Sequence, residues 1–402
     1  MPFPPSGHSD GAPPVTLVST GRNGSLELYA EQLARTSPRE HRLVRAATHC
    51  RSFGVPLISR EAASSAAADV RLVRRLRRSD GLVHLTNQHL ARYGVLLDRP
   101  YVVTVHDLIR TLDVGRDRPY IQSANRRDRM LLRLDAAGIR RAAAVVAVSD
   151  STRHALRDHL GISPERIFTI HQGVDHARFR PVRRRLLADP YVLFVGSEQP
   201  RKNLVGVLEA LSRLKRLPAM RRLKLVKIGE PGSATADFRA RTLEAVGRLG
   251  LADDVVFTGR VPEGDLPAYY SGALCLVLPS FCEGFGLPPL EAMACGCPVV
   301  VADTDALREV ASGAALLVEP HDPASIESAL ASLVANPRLR TELSQAGRRR
   351  AALFSWQRTA RETAMVYELV ERQDARSQRT EPASLAPLVR PAPFEAVSED
   401  AT

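Results

Sequence analysis

The sequence predicts an α/β fold of doubly wound parallel sheets, and three observations predict it. Short apolar runs such as Val15–Ser19, Tyr101–Val105 and Tyr191–Val195 alternate with longer amphipathic stretches, the pattern of buried strands covered by helices on both faces. Several of these runs end in polar, glycine-bearing loops, the place where an open sheet of this kind takes its ligands. The 402 residues, 44% of them apolar, are enough for two domains with a core each.

Residues 1–14 are rich in Pro, Gly and Ser and are expected to be disordered. A first domain then covers 15–185. Its opening strand, Val15–Ser19, runs into Thr20-Gly21-Arg22-Asn23-Gly24-Ser25 and a helix over 26–35. Gly21 and Gly24 are candidate phosphate contacts, although Gly-x-x-Gly is not the GxGxxG of a dinucleotide site and a plain tight turn uses the same residues. Further strands are expected over 43–48, 81–85, Tyr101–Val105 and 143–148. The third of these delivers His106-Asp107, an ionisable pair, to the carboxyl end of a buried strand. After 143–148, Ser149-Asp150-Ser151-Thr152 starts a helix with Ser149 or Asp150 as its N-cap. A last strand from Arg166 leads to His171-Gln172-Gly173-Val174-Asp175, and residues 181–190 link to the second domain, 186–354.

The second domain opens with the apolar run Tyr191–Val195, ending at Gly196. A short polar loop then places Arg201 and Lys202 just before a helix expected from about Asn203. A buried strand feeding two cations into a cleft reads as a diphosphate clamp, Arg binding oxygens as a fork and Lys as a point charge, although two solvated cations in an ordinary αβ loop use the same residues. A strand over 255–257 precedes Thr258-Gly259-Arg260-Val261-Pro262. The apolar run 273–279 then reads as a buried parallel strand. It leads to Glu283-Gly284-Phe285-Gly286-Leu287-Pro288-Pro289-Leu290-Glu291, two carboxylates around a glycine-rich break. Gly284 and Gly286 suit a tight turn with close ligand approach, and the two prolines suit the first turn of a helix over 288–295. The amides of Gly284, Phe285, Gly286 and Leu287 at that helix start form an anion site, with Glu283 on the loop and Glu291 in the first turns. A helix is expected over 355–373, followed by a flexible tail, 374–402.

Composition narrows the chemistry. The net charge of +12 is carried by arginine clusters such as Arg74-Arg75, Arg77-Arg78, Arg140-Arg141 and Arg183-Arg184-Arg185. Such a surface suits peripheral contact with an anionic membrane, and an arginine-biased genome accounts for it equally well. Aromatics are 5% and do not interleave with the basic groups, which argues against nucleic acid. No apolar stretch approaches the roughly 18–20 residues that span a bilayer, and the N-terminus lacks the pattern of a secretory signal. Cys50, Cys275, Cys282, Cys295 and Cys297 form no CxxC pair and read as small core residues of a reducing cytosol. Asp303-Thr304-Asp305 is spelled like a metal-binding Asp-x-Asp but follows a strand over 298–301 as a capped turn does. His154 and His159 are not spaced as a helical zinc pair. No metal and no other cofactor is therefore expected, and the setting is cytoplasmic, extending to the inner face of the membrane.

The segments VGSEQPRKNL, VVFTGRVPEGDLPAYYSGA, PSFCEGFGLPPLEAMACGCPVVVAD and LLVEPHD, in that order, resemble the retaining glycosyltransferases of family 4, also called group 1. The similarity runs from about Val102 to Tyr367 and includes TVHDL at 104–108 and the Gly-Val-Asp at 173–175. The resemblance implies two Rossmann-like domains facing a deep cleft (GT-B), an acceptor domain followed by a donor domain, and a C-terminal helix over 355–373 that crosses back onto the first. It implies a nucleotide-diphosphate sugar as co-substrate and transfer of a mannose- or glucose-type hexose to a glycan, lipid-linked or small-molecule hydroxyl. Glu291 would accept hydrogen bonds from the donor ribose, Arg201 and Lys202 would hold the diphosphate, and Glu283 would face the sugar. His106 would lie near the anomeric centre, and backbone groups around Val261 would read the base. Ser149 would face the cleft with Asp107. The family usually carries a fuller Gly-Gly-x-Gly where this chain has Gly21 and Gly24. The implied mechanism is metal-independent front-face attack, with Glu283 as covalent nucleophile the alternative. Other readings are a sugar phosphorylase of the same plan and a basic binding module without turnover. A dinucleotide oxidoreductase is disfavoured by the missing GxGxxG.

Overall fold

The computed structural model describes residues 13–21, 24–46, 60–114, 120–121, 123–184, 186–232 and 237–380. The expectations for 1–12, for Cys50 and for 381–402 lie outside the described residues. Two parallel six-stranded sheets organise the chain. The first contains β1 (Val15–Ser19), β2 (His41–Arg45), β3 (Val83–Leu85), β4 (Tyr101–Val105), β5 (Ala144–Ala147) and β6 (Ile167–Thr169), in the order β2-β1-β3-β4-β5-β6. The second contains β7 (Tyr191–Val195), β8 (Lys224–Ile228), β9 (Val255–Gly259), β10 (Cys275–Leu278), β11 (Val299–Ala302) and β12 (Leu316–Val318), in the order β12-β11-β10-β7-β8-β9. In each sheet the order reverses beside the first strand, and a crevice opens at the carboxyl ends there. The loops leaving β7 and β10, the two strands at the second switch point, carry Arg201-Lys202 and Glu283.

The side-chain period of two explains how each strand serves two layers. In the first sheet Val18, Val83, Leu85, Val103 and Val105 pack under the helices Arg60–Arg77 and Arg126–Arg141. Val15, Leu17, Val102 and Val146 pack on the other face, against Tyr29 and Leu33 of the helix Ser25–Thr36 and Trp356, Ala360, Tyr367 and Val370 of the helix Trp356–Thr380. That last helix follows the second domain in sequence yet lies on the first. The Tyr367 hydroxyl meets His84 Nδ1 at 2.6 Å, and Arg39 grips both oxygens of Glu371 at 2.7 and 2.6 Å. Its length corrects the sequence expectation: it continues past 373 to Thr380. Residues 374–380 contain Ala, Arg and Gln with no Gly or Pro, so nothing local stops the helix before Pro382.

Other boundaries shift for local reasons. Strand β2 sits at 41–45 instead of 43–48, because its register with β1 ends at Ser19↔Arg45 and an edge strand is set by pairing more than by apolar run. The helix expected from Pro288 begins one residue earlier, at Leu287. Asn203 caps the helix Leu204–Leu214 from a left-handed conformation (φ 56°), after a 3₁₀ turn over Pro200–Lys202. Cys275, Cys295 and Cys297 are buried and free, and Cys282 is half-buried.

Burial sets an acid limit on this fold. Desolvation lowers His84 to about 3 and His41 and His106 to about 4. Folded-state values below the unfolded value mean that the unfolded chain binds the extra protons, so stability falls as pH drops from about 6.5 toward 4. Each proton difference contributes about 1.4 kcal/mol per pH unit. Thermal melts should hold their midpoint above about pH 7 and lose it steeply between 6 and 4. Replacing His84 with Gln should flatten that decline, and an unchanged acid limb would remove His84 from the account.

Candidate active site

The cleft between the two sheets encloses about 460 Å³, within the range of small-molecule sites. His106, Asp107, Arg201, Lys202, Glu283, Gly284, Phe285, Gly286, Leu287 and Glu291 all line it. Gly21, Gly24, Ser149, Gly196 and Val261 do not line it directly. The Gly21 amide donates to Glu27 Oε2 at 2.8 Å, and Gly24 precedes the helix whose Ser25 and Leu26 reach the cleft wall. Gly196 lies beside the Lys202 stem, and Val261 packs half-buried on the second core.

The charges on the second-domain wall form one cluster. Glu283 Oε1 is 2.5 Å from Lys202 Nζ and Glu283 Oε2 is 2.9 Å from Arg201 Nη1. The resemblance gave these side chains separate duties, yet the loops leaving β7 and β10 bring them into contact. Burial alone would raise the Glu283 carboxyl, but Lys202 and Arg201 hold it down at about 2. Burial lowers Lys202, partly offset by Glu283. Asp107 stands close enough to add its field to Arg201. Beyond the cluster starts the helix Leu287–Ala294, with Gly286 at its N-cap in a conformation (φ 120°) that favours glycine. Its first amides carry the positive end of the helix dipole.

Glu291 is set apart from this cluster. Desolvation raises its carboxyl to about 7, and the Tyr270 hydroxyl, 2.8 Å from Oε2, partly offsets this. One carboxylate of the pair is thus fully ionised and the other is poised near neutrality.

The first domain contributes His106. Its Nε2 lies 3.0 Å from the Thr86 carbonyl and its Nδ1 3.1 Å from Gln172 Nε2. A carbonyl only accepts and an amide nitrogen only donates, so the ring carries its proton on Nε2 and is neutral. Both nitrogens are committed, and burial drives the pKa to about 4. The His106 ring is a wall of the cleft, held in place, with no free basic nitrogen.

Two contacts close the domains on each other. Gly284 lies so near β4's end that a Cβ there would sit 1.8 Å from the His106 carbonyl oxygen. The Gly284 carbonyl accepts from Ser149 Oγ at 2.7 Å, while Ser149 also caps the helix Asp150–Leu160. Further out, both oxygens of Glu309 accept from the Asp150 amide at 3.0 and 2.9 Å, and His171 Nε2 is 2.5 Å from Glu309 Oε1. Asp303 and Asp305, spelled like a metal pair, both face Arg308 instead. Sequence reasoning missed Gln172, Glu27, Tyr270 and Glu309. Gln172 adjoins the Gly-Val-Asp element, while the other three carry no local signal.

Comparison with known proteins follows this geometry. Residues 176–350 match the model for glycosyl transferases group 1 and residues 15–178 that for glycosyltransferase family 4. The D-inositol 3-phosphate glycosyltransferase of Acidothermus cellulolyticus is 34% identical over 304 residues, 72% of this chain and 65% of that protein. The protein of the same name from Frankia alni is 35% identical over 286 residues, 67% of each chain. The chain thus spans about two thirds of these relatives, and less of others. The Anabaena protein HepE, solved in complex with UDP and glucose, superposes with a TM-score of 0.69 at 17% identity, covering 91% of this chain and 99% of that one.

Gly284 is the position where the domain contact can be tested. Gly284→Ala should drive the domains apart by steric clash and cut turnover on the order of 100-fold, while each domain keeps its fold. Small-angle scattering should show a larger radius of gyration at an unchanged circular-dichroism spectrum. Wild-type turnover in this variant would show that the Gly284–His106 approach is dispensable.

Proposed function

The chain belongs to the group 1, family 4 glycosyltransferases, and from that membership we propose that it is a retaining hexosyltransferase using a nucleotide-diphosphate sugar. The observation that carries this is the part-buried Arg201–Lys202–Glu283 cluster beside the helix start at Leu287. Breaking the bond from sugar to diphosphate develops negative charge on the leaving oxygens. Fixed cations and helix amides stabilise such charge best in an enclosed cleft. Glu283 keeps both cations aligned before the donor arrives, and the diphosphate then joins them as a second anionic partner. Glu291 would accept two hydrogen bonds from the ribose diol, and Glu283 would border the sugar on the reacting side. The nucleotide-sugar reading is supported by HepE, whose structure holds UDP and glucose.

Retention is assigned to front-face attack, with the leaving phosphate taking the acceptor's proton. Two features favour it over covalent catalysis by Glu283. A carboxylate held at about 2 by two cations is a weak nucleophile, and His106 has no free nitrogen to serve as a base. Arg201, Lys202 and the helix amides supply the charge that a metal would otherwise supply, so the reaction is proposed to be metal-independent. The sugar is mannose- or glucose-type and the acceptor a glycan, lipid-linked or small-molecule hydroxyl, bound mainly by the first domain.

A thermal-shift panel of UDP, GDP, ADP, TDP and inorganic phosphate, with and without EDTA, tests this reading. A ligand at 100 times its dissociation constant adds about 2.7 kcal/mol. One nucleotide should shift the melt strongly and be indifferent to EDTA; a shift by phosphate alone would replace the transferase with a phosphorylase. Arg201→Ala combined with Lys202→Ala should abolish transfer, and undiminished activity would sink the clamp. Glu291→Ala should weaken nucleotide binding by about 1.5–3 kcal/mol, the loss expected for charge-assisted bonds.

Glu291 also predicts a pH dependence. With a free-state value of about 7 and a bound state that needs the carboxylate, nucleotide affinity should rise with pH up to about 8 and then level off. Below 7 it should fall by up to about tenfold per pH unit. Titration calorimetry should show this slope in the wild type and not in Glu291→Gln; a flat profile in the wild type would mean that Glu291 binds protonated.

A further inference from the structure

A second charged recess lies at the far side of the first domain. Arg42, Arg71, Arg74, Arg75 and Arg78 line a pocket of about 360 Å³, floored by Thr16 and Ser79. Among the described residues no acid lines it. Among the described residues, none of the five guanidiniums has an ion-pair or hydrogen-bond partner. The five are exposed, unlike Arg92 and Arg110, which are buried and paired with Asp135 and Asp128. Five like charges around one recess repel each other, weakly in water and salt, and an anion that enters relieves that repulsion.

Two ordinary explanations cover part of the cluster. Arg74 and Arg75 stand in the last turn of the helix Arg60–Arg77, where cations complement the dipole. Arg42 is on the edge strand β2, where charge discourages stray pairing. Neither reason converges these side chains on one recess. Arg71, Arg74, Arg75 and Arg78 follow the i, i+3, i+4, i+7 spacing of a single stripe. Arg42 reaches the same recess from β2, opposite Thr16 in the register with β1. Thr16 and Arg42 stand near the amino ends of their strands, away from the carboxyl-end crevice that holds the donor cluster.

We propose that this arginine-lined pocket binds a phosphate group, carried either by an anionic lipid headgroup or by a soluble phosphorylated molecule. Guanidinium forks from a helix and from a neighbouring strand suit a phosphate's several oxygens. The site is distinct from the donor cleft and does not depend on the transferase assignment.

The test compares the full-length protein with the Arg71→Ala, Arg74→Ala, Arg75→Ala, Arg78→Ala variant in two arms. These residues are exposed and unpaired, so the variant should fold, with a melting temperature no lower than the wild type's. In the first arm, both proteins are sedimented with phosphatidylcholine vesicles with and without phosphatidic acid. In the second, both are titrated calorimetrically with inorganic phosphate without vesicles. Any phosphate held by the donor cleft is common to both proteins and cancels in the comparison. For a lipid ligand, the variant should bind phosphatidic-acid vesicles roughly tenfold or more weakly, and wild-type binding should fall steeply with salt. For a soluble ligand, the phosphate titration should weaken by a similar factor while vesicles separate the proteins by less. Equal binding by the two proteins in both arms would overturn the site. Transfer to a soluble acceptor should be unchanged in the variant, which separates this outcome from failure of the transferase reading.

Discussion

The absence of a side chain at Gly284 is the constraint on which the catalytic arrangement rests. The carbonyl of His106, at the end of β4 in the first sheet, occupies the place where a Cβ would stand, 1.8 Å away. That approach brings the loop leaving β10 against the loop leaving β4, so residues at the ends of two separate sheets line one cleft. Ser149 then fastens the Gly284 carbonyl from the first domain at 2.7 Å. Glu283, the residue just before it, is thereby placed where Arg201 and Lys202 meet it. The missing methyl group permits this close approach, alongside the Asp150–Glu309 and His171–Glu309 contacts that also join the domains.

The charges in the cleft divide between two physical regimes. Around Glu283, attraction from two cations outweighs desolvation, and the carboxylate stays ionised although 9% of its side chain is exposed. Around Glu291, Tyr270 supplies one hydrogen bond and, among the described residues, no cation forms an ion pair, so desolvation outweighs Tyr270 and the field of Arg178 and the carboxyl moves toward neutrality. Pairs of carboxylates separated in this way are a general means of giving like groups unlike duties. His106 is a third case: both nitrogens are bonded, and burial outweighs the Thr86 hydrogen bond and the field of Asp107 and leaves it neutral.

Much of this was legible in the sequence because its signals are local. The apolar run before Glu283, the glycines and the paired prolines specify strand, turn and helix start within one short segment, and Tyr191–Val195 with Arg201-Lys202 does the same for the opposite wall. The α/β class followed from the alternation of runs. Chain-distant partnerships were not legible. Glu27 stitches Ser19, Thr20 and Gly21 from within a helix, and in sequence it reads as an ordinary first-turn acid. Tyr270 meets Glu291, and Gln172 meets His106, only because sheet order folds their segments together. The ion pairing of Glu283 with both cations was missed for the same reason: each was read by its own loop, while the parallel pairing of β7 with β10 at the switch point decides their distance.

The pairing of Arg201 and Lys202 with Glu283 also bears on how a donor would enter. Two cations and one carboxylate leave a net charge of about one positive unit, too little to match a diphosphate alone. The helix amides at Leu287 add partial positive charge without a further ion to desolvate. A bare cation pair in the same enclosure would suffer mutual repulsion and the full cost of burial, and Lys202, already lowered by desolvation, would lose its proton more readily. Glu283 opposes that loss by pairing with both cations, and under the proposed function a donor would then add its own negative charge. The carboxylate is therefore part of what makes the clamp cationic, and an anion site built without it would be weaker even though its formal charge would be higher.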